Sequence, residues 1–271
     1  MTRPRRGRVG YVAALAIGAS LFAAACAGAG QERQSAGSGQ QGRPVGSAAP
    51  VVSLTSRQAR HALLTEAYLG SQWTEVEDSG DRRDGLLRGT VNTQDWLTHT
   101  EDAAVCQQLL DRLGGDRIIG APLSGTQAVA VFDADNGNRM RYEVGTYRAV
   151  ELRAARAWFG TLTQKCGVFT ATRTDGSTED VRVTSLPVPE GDGTRQALSV
   201  VAKGTTEGVP FTLSLDVALV TSGDSAVTLV NGGLADASHL TTGLAVRLGA
   251  PRLTTVLAGG TPPPQPAGLL D

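Results

Sequence analysis

The sequence predicts an α+β domain built on an antiparallel β-sheet with helices packed against it. Three features point to this class. Phe211, Leu213, Leu215, Val217 and Leu219 alternate with Thr212, Ser214, Asp216 and Ala218, the period-two pattern of a strand with one buried face. Weaker alternation recurs over residues 126–132, 140–147, 181–186, 197–202 and 226–230. Turn signals separate these stretches: Asp135-Asn136-Gly137, Asp175-Gly176, Glu190-Gly191-Asp192-Gly193, residues 204–208 and Ser222-Gly223-Asp224. Helical patterns at 56–68, 102–113, 149–165 and 238–258 frame the strands, the last restarting at Pro251.

The chain opens with four arginines, Arg3, Arg5, Arg6 and Arg8, followed by an apolar run over residues 9–25. That run is short for a bilayer span and ends in Ala23-Ala24-Ala25, so residues 1–25 read as a cleavable signal peptide. Cys26 follows directly. Ala23-Ala24-Ala25-Cys26 resembles a lipobox, with Ala23 where that motif prefers leucine. Cleavage is then expected to leave Cys26 at the new N-terminus, carrying a diacylglyceryl anchor and acyl chains such as palmitate. The protein would sit on the outer face of the cell membrane; ordinary secretion with an unmodified Cys26 is the alternative. Residues 27–50 are almost entirely Gly, Ser, Ala and Gln, without apolar periodicity. Too little apolar surface is available there to offset the entropy of ordering. With Cys26 they form a tether, 26–50, whose root-mean-square reach as a flexible coil is roughly 25–30 Å.

The remaining span, 51–260, is one domain's worth of chain, and 261–271 is a proline-rich, disordered tail. Within the domain, Cys106, Leu109, Leu110 and Leu113 recur at i, i+3, i+4 and i+7 and place Cys106 on the buried stripe of a helix. Leu152, Ala155, Phe159, Leu162 and Cys166 do the same for the helix at 149–165. Two thiols on core-facing surfaces of an exported protein predict a Cys106–Cys166 disulfide. Two buried free thiols are the alternative.

Removing residues 1–25 takes four of the 25 Lys and Arg and none of the 26 Asp and Glu, leaving a net charge of −5. A mildly acidic domain without a basic cluster argues against nucleic-acid binding. No nucleophile elbow, P-loop, H-E-x-x-H or C-x-x-C motif is present. His61, His99 and His239 stand far apart and read as surface or helix-end residues. Asp133 and Asp135 beside Asn136-Gly137-Asn138 lack the ligand ladder of a calcium loop and read as a polar turn. Gly223-Asp224-Ser225 leads into a strand pattern and reads as a hairpin turn, with no glycine-rich oxyanion loop after it. No cofactor or metal site is expected, and the domain is read as non-enzymatic. Of the tryptophans, Trp158 is assigned to the core beside Phe159. Trp73 and Trp96, the latter in a polar connection, are the aromatics expected to face a ligand.

Leu63-Leu64-Thr65-Glu66-Ala67-Tyr68-Leu69-Gly70-Ser71-Gln72-Trp73 resembles the opening motif of the actinobacterial extracytoplasmic sensor domains found beneath PknH-type receptor kinases and in stand-alone lipoproteins. Gly70 stands where that motif often has proline and Gln72 where it has glycine. The cysteine-bearing helix at Val105-Cys106 is similar too, as is Ala157-Trp158-Phe159 followed by Leu162 and Cys166-Gly167-Val168-Phe169. The resemblance spans most of 55–258 and implies a sensor-like domain that binds an extracytoplasmic ligand or an envelope protein. The kinase domains have two disulfides, and this chain can form one of them. Two other functions remain open: a carrier of lipid or cell-wall components, which needs a large apolar cavity, and a cell-envelope hydrolase, which needs titratable residues converging in a cleft.

Overall fold

Nine strands between Trp73 and Gly233 assemble, among the described residues, into one wholly antiparallel sheet. The computed structural model describes residues 53–77, 93–98, 102–191 and 193–264, so residues 1–25, Cys26, the whole tether 26–50, His99 and residues 265–271 of the tail lie outside it. In chain order the elements are α1 (Ser56–His61), β1 (Trp73–Glu75), β2 (Trp96–Thr98), α2 (Ala103–Gly114), β3 (Ala128–Ala134), β4 (Arg139–Thr146), α3 (Ala149–Lys165), β5 (Val168–Arg173), β6 (Thr178–Ser185), β7 (Thr194–Thr206), β8 (Val209–Ser222), β9 (Ser225–Gly233) and α4 (His239–Leu257). The sheet order is β1-β3-β4-β9-β8-β7-β6-β5-β2. Thus β1 and β2, consecutive in the chain, are opposite edges, and β8 is the central strand. The α+β class with an antiparallel sheet and packed helices is what the sequence predicted.

Tight turns fall where the turn signals stand. Gly137 (φ 84°) closes the β3–β4 hairpin and Gly223 (φ 58°) the β8–β9 hairpin, both in the left-handed region that glycine enters without steric cost. Ser225 begins β9, fully buried, with its Oγ 2.9 Å from Thr146 Oγ1.

Each face of β8 belongs to a different core. Leu213, Leu215, Val217 and Leu219 pack with Leu109, Leu110 and Leu113 of α2 and Phe159 and Leu162 of α3. Ala218 and Val220 point the other way, into a cluster with Ala245, Val246, Ala250 and Leu253 of α4 and Ala59 of α1. The strand that alternation reads as half-buried is therefore covered on both sides, and even Asp216 is 0% exposed.

The helix expected over 56–68 is shorter. Ala62 caps α1, Thr65 adopts extended backbone (φ −120°, ψ 163°), and a single 3₁₀ turn, Glu66–Tyr68, follows. Nor does α4 restart at Pro251: it runs through that residue, because Ala250, Leu253 and Val256 on either side of it share one buried stripe. Alternation had not marked β1, β2 or β5. The first two have three residues each, too few for a period to show, and β5 begins with Val168, which is 67% exposed. The packed chain also continues past residue 260: Pro262 is buried, and Arg252 Nη1 donates to the Pro263 carbonyl at 3.4 Å.

The Cys106–Cys166 disulfide is present, with a Cα–Cα separation of 5.5 Å and both residues 0% exposed. It joins the buried stripe of α2 to the C-cap of α3. In the loop-entropy model a bridge across 60 residues stabilises the fold by about 4 kcal/mol. Replacing both cysteines by alanine is expected to lower the unfolding free energy in urea by about that amount; a loss under about 1 kcal/mol would show that the helix pair holds without the bridge.

Candidate functional site

The residues singled out by sequence are scattered by the fold. Cys26 lies outside the described residues. Trp73 (5% exposed) and Trp96 (1% exposed) stand on the two opposite edge strands and belong to different cores, so the structure does not bring them together, and both rings are buried. Trp158 is half-buried against the first core, edge-on to Phe159 with ring centroids 6.3 Å apart. The Arg112 guanidinium covers its ring at 4.3 Å, a cation–π contact on the outer side of the α2–α3 pair. His61 ends α1 and His239 begins α4, the helix-end positions expected of them. Among the described residues no group of three or more His, Cys, Asp or Glu side chains has the geometry to hold a metal ion.

An open groove of about 740 Å³ lies between the α1 end of the chain and the β1–β3 edge. Leu63, Ala67, Val76, Ala128 and Val129 are its apolar lining, while among the described lining residues Glu66, Glu75 and Glu77 supply carboxylates and Arg60 a cation. Glu66 is placed by the 3₁₀ turn that replaces the end of the expected first helix, and its Oε2 accepts a hydrogen bond from the Glu75 N–H at 2.9 Å. Burial first, and the Glu66 carboxylate second, push the Glu75 carboxyl above the usual carboxylate range. The groove therefore carries negative charge whose members repel one another. The signal for it in the sequence is Thr74-Glu75-Val76-Glu77, a polar alternation too short to separate from the surrounding loop.

A second cluster lies at the N-terminus of α4. Asp216, on the face of β8 that α4 covers, accepts from the Thr242 hydroxyl at 2.8 Å and lies 2.9 Å from His239 Nδ1. Asn231 Nδ2 donates to Thr242 Oγ1 at 3.0 Å and to the Ser238 carbonyl at 3.2 Å, fixing the helix start on β9. The imidazole edge reaches solvent, its side chain being 57% exposed. The Thr242 hydroxyl in this cluster binds the carboxylate and not the ring.

Glu179 is the least compensated charge described. It is 0% exposed, neither carboxylate oxygen accepts a hydrogen bond, and Arg173 Nη1 stands 3.7 Å away. Its carboxylate occupies the space over Gly204, where an added Cβ would fall 1.1 Å from Oε2. Burial pushes its carboxyl above the usual range, with the Arg173 charge pulling the other way.

With this geometry in view, comparison with known proteins gives little. No protein-family profile matches the chain, and no curated protein matches it. Among solved structures, the extracellular domain of PknH from Mycobacterium tuberculosis is similar over 74% of this chain and 97% of that one, at 12% identity and a TM-score of 0.42. At that level the likeness assigns neither a family nor a function. Among the described residues no helix is long and apolar enough to cross a membrane.

The pH behaviour of Glu179 is testable with Glu179→Gln, which keeps the shape and removes the charge. A carboxyl whose folded pKa is raised imposes no penalty below its unfolded pKa, and the penalty grows as pH rises through the folded value. The variant is expected to be more stable than the parent at pH 7 by about 1 kcal/mol. Near about pH 4 the two are expected to match. Thermal melts at both pH values decide it, and a difference independent of pH would show that the buried charge is not its source.

Proposed function

We propose that the protein is a non-enzymatic, extracytoplasmic binding domain of the sensor-like kind, held to the outer face of the membrane through a lipidated Cys26. The observation that carries this reading is the disulfide between two fully buried cysteines, a bond that belongs to an oxidising compartment. It agrees with the signal-peptide layout of residues 1–25 and with the tether that follows. Of the three cysteines, two are bridged and the third stands where a lipid thioether would consume it.

Binding suits the described surface better than catalysis. Among the described residues the hydroxyl beside Asp216, that of Thr242, binds the carboxylate and not the His239 ring, and the open groove beside β3 is lined by apolar and charged residues together, the composition of a recognition site. A carrier would need an enclosed apolar cavity, whereas this groove is open and its apolar floor is flanked by charged walls.

Metabolic labelling with a fatty acid tests the anchor. The parent is expected to take up label and to fractionate with membranes, and Cys26→Ser to lose both. Equal label in the two would end the anchoring proposal.

A further inference from the structure

The sheet treats its edges unequally. At β2 the outward-facing backbone is closed by one side chain: Gln107 Oε1 accepts from Thr98 N at 3.1 Å, and its Nε2 donates to the Trp96 carbonyl at 2.8 Å. The amide thereby stands in for the next strand's peptide group. On β1 the outward N–H groups are also taken, Trp73 N by the Gly70 carbonyl at 3.1 Å and Glu75 N by Glu66. Edges blocked in this way do not recruit further strands.

The edge of β3 beyond β1 is different. Ala134 N donates to Asn138 O, which turns the even-numbered peptides of β3 toward β4. The odd-numbered ones face outward, and Val76 N donates to Val131 O at 2.8 Å as the last rung shared with the β1 side. Past that rung no described residue pairs with this edge, so the Val129 N–H and C=O and the Val131 N–H point out of the sheet. Val129 lines the groove of about 740 Å³, which is within the size range of binding sites.

We propose that this groove takes an extended, basic peptide segment of an envelope partner, which adds as a short strand to the free edge of β3. Backbone pairing to Val129 and Val131 supplies the register. Leu63, Ala67 and Ala128 offer apolar surface to its side chains, and Glu66, Glu75 and Glu77 receive the basic ones. Charge complementarity selects this occupant: among the described lining residues three carboxylates stand against one cation, Arg60, and Glu66 pushes on Glu75, so incoming cations relieve the site and an acidic segment is repelled. The assignment deepens the binding-domain reading and is independent of the anchor.

The test titrates labelled octapeptides into the full-length protein: one of alternating Lys and Val, one of alternating Glu and Val, and the Lys/Val peptide N-methylated at every second residue. Anisotropy reports affinity, and hydrogen–deuterium exchange reports the Val129 and Val131 amides. The Lys/Val peptide is expected to bind at least about tenfold tighter than the Glu/Val peptide and to slow exchange at both amides. N-methylation is expected to abolish that protection. The double variant Glu66→Gln, Glu77→Gln should weaken binding about fivefold, and Asp180→Asn, on an exposed position of β6 away from the groove, should leave it unchanged. Three outcomes overturn the proposal: equal affinity for the Lys and Glu peptides, no change in exchange at saturating peptide, or amides already protected before peptide is added, which would mean the chain fills its own groove. None of these bears on fatty-acid label at Cys26, so failure of this site and failure of the anchor are separable.

Discussion

Everything in the described domain leans on the double burial of β8. A strand in the middle of a sheet is covered on both faces only if its side chains satisfy two different sets of helices at once. Here odd-numbered leucines and valines meet α2 and α3, while Ala218 and Val220 meet α4. Small residues on the α4 side let that helix approach closely. Gly249 is the extreme case, since a Cβ there would fall 2.1 Å from Tyr142 Oη. The cost of this closeness is polar: the Tyr142 hydroxyl is buried without a hydrogen-bond partner, and burial drives its pKa well above the usual phenol value.

Three buried carboxylates show how differently the same problem is solved along the sheet. Asp216 is held by a hydroxyl and an imidazole, and Glu143 by Arg141, the Tyr147 hydroxyl at 3.1 Å and Gln127 Nε2 at 3.0 Å. Both are satisfied networks, which rigidify a core. Glu179 has one distant cation and a glycine cradle instead. Packing explains why it fits, but not why a carboxylate stands there.

Residues with strong periodicity were legible before any coordinates. Leu109, Leu110 and Leu113 around Cys106, and Leu152, Phe159 and Leu162 before Cys166, placed both helices and their bridge, because a 3.6-residue stripe is a local signal of a tertiary contact. Alternation placed six strands. It could not say that β8 is covered twice, since Thr, Ser and Asp on a strand read as solvated unless the helix that covers them is known. Trp96 was read as ligand-facing for the same reason, since it sits among polar residues, and Trp73 was named with it; only the sheet order reveals both as buried residues of the two edge strands. The groove was the least legible feature. It depends on where β1 stops pairing with β3, a long-range register that no local pattern encodes.

The bridge clamps only one of the two cores. Leu54 belongs to the other, as does α1, and Gln58 Nε2 reaches the Val256 carbonyl while Arg252 Nη2 reaches that of His61. The chain thus enters and leaves the domain at one corner, on the side without a covalent tie. A pull transmitted through the residues before Leu54 acts first on Leu54 and α1, which only noncovalent packing and hydrogen bonds hold to the second core, while the disulfide ties α2 to α3 on the other face. The covalent tie therefore stands on the face away from the one where the preceding chain joins the domain.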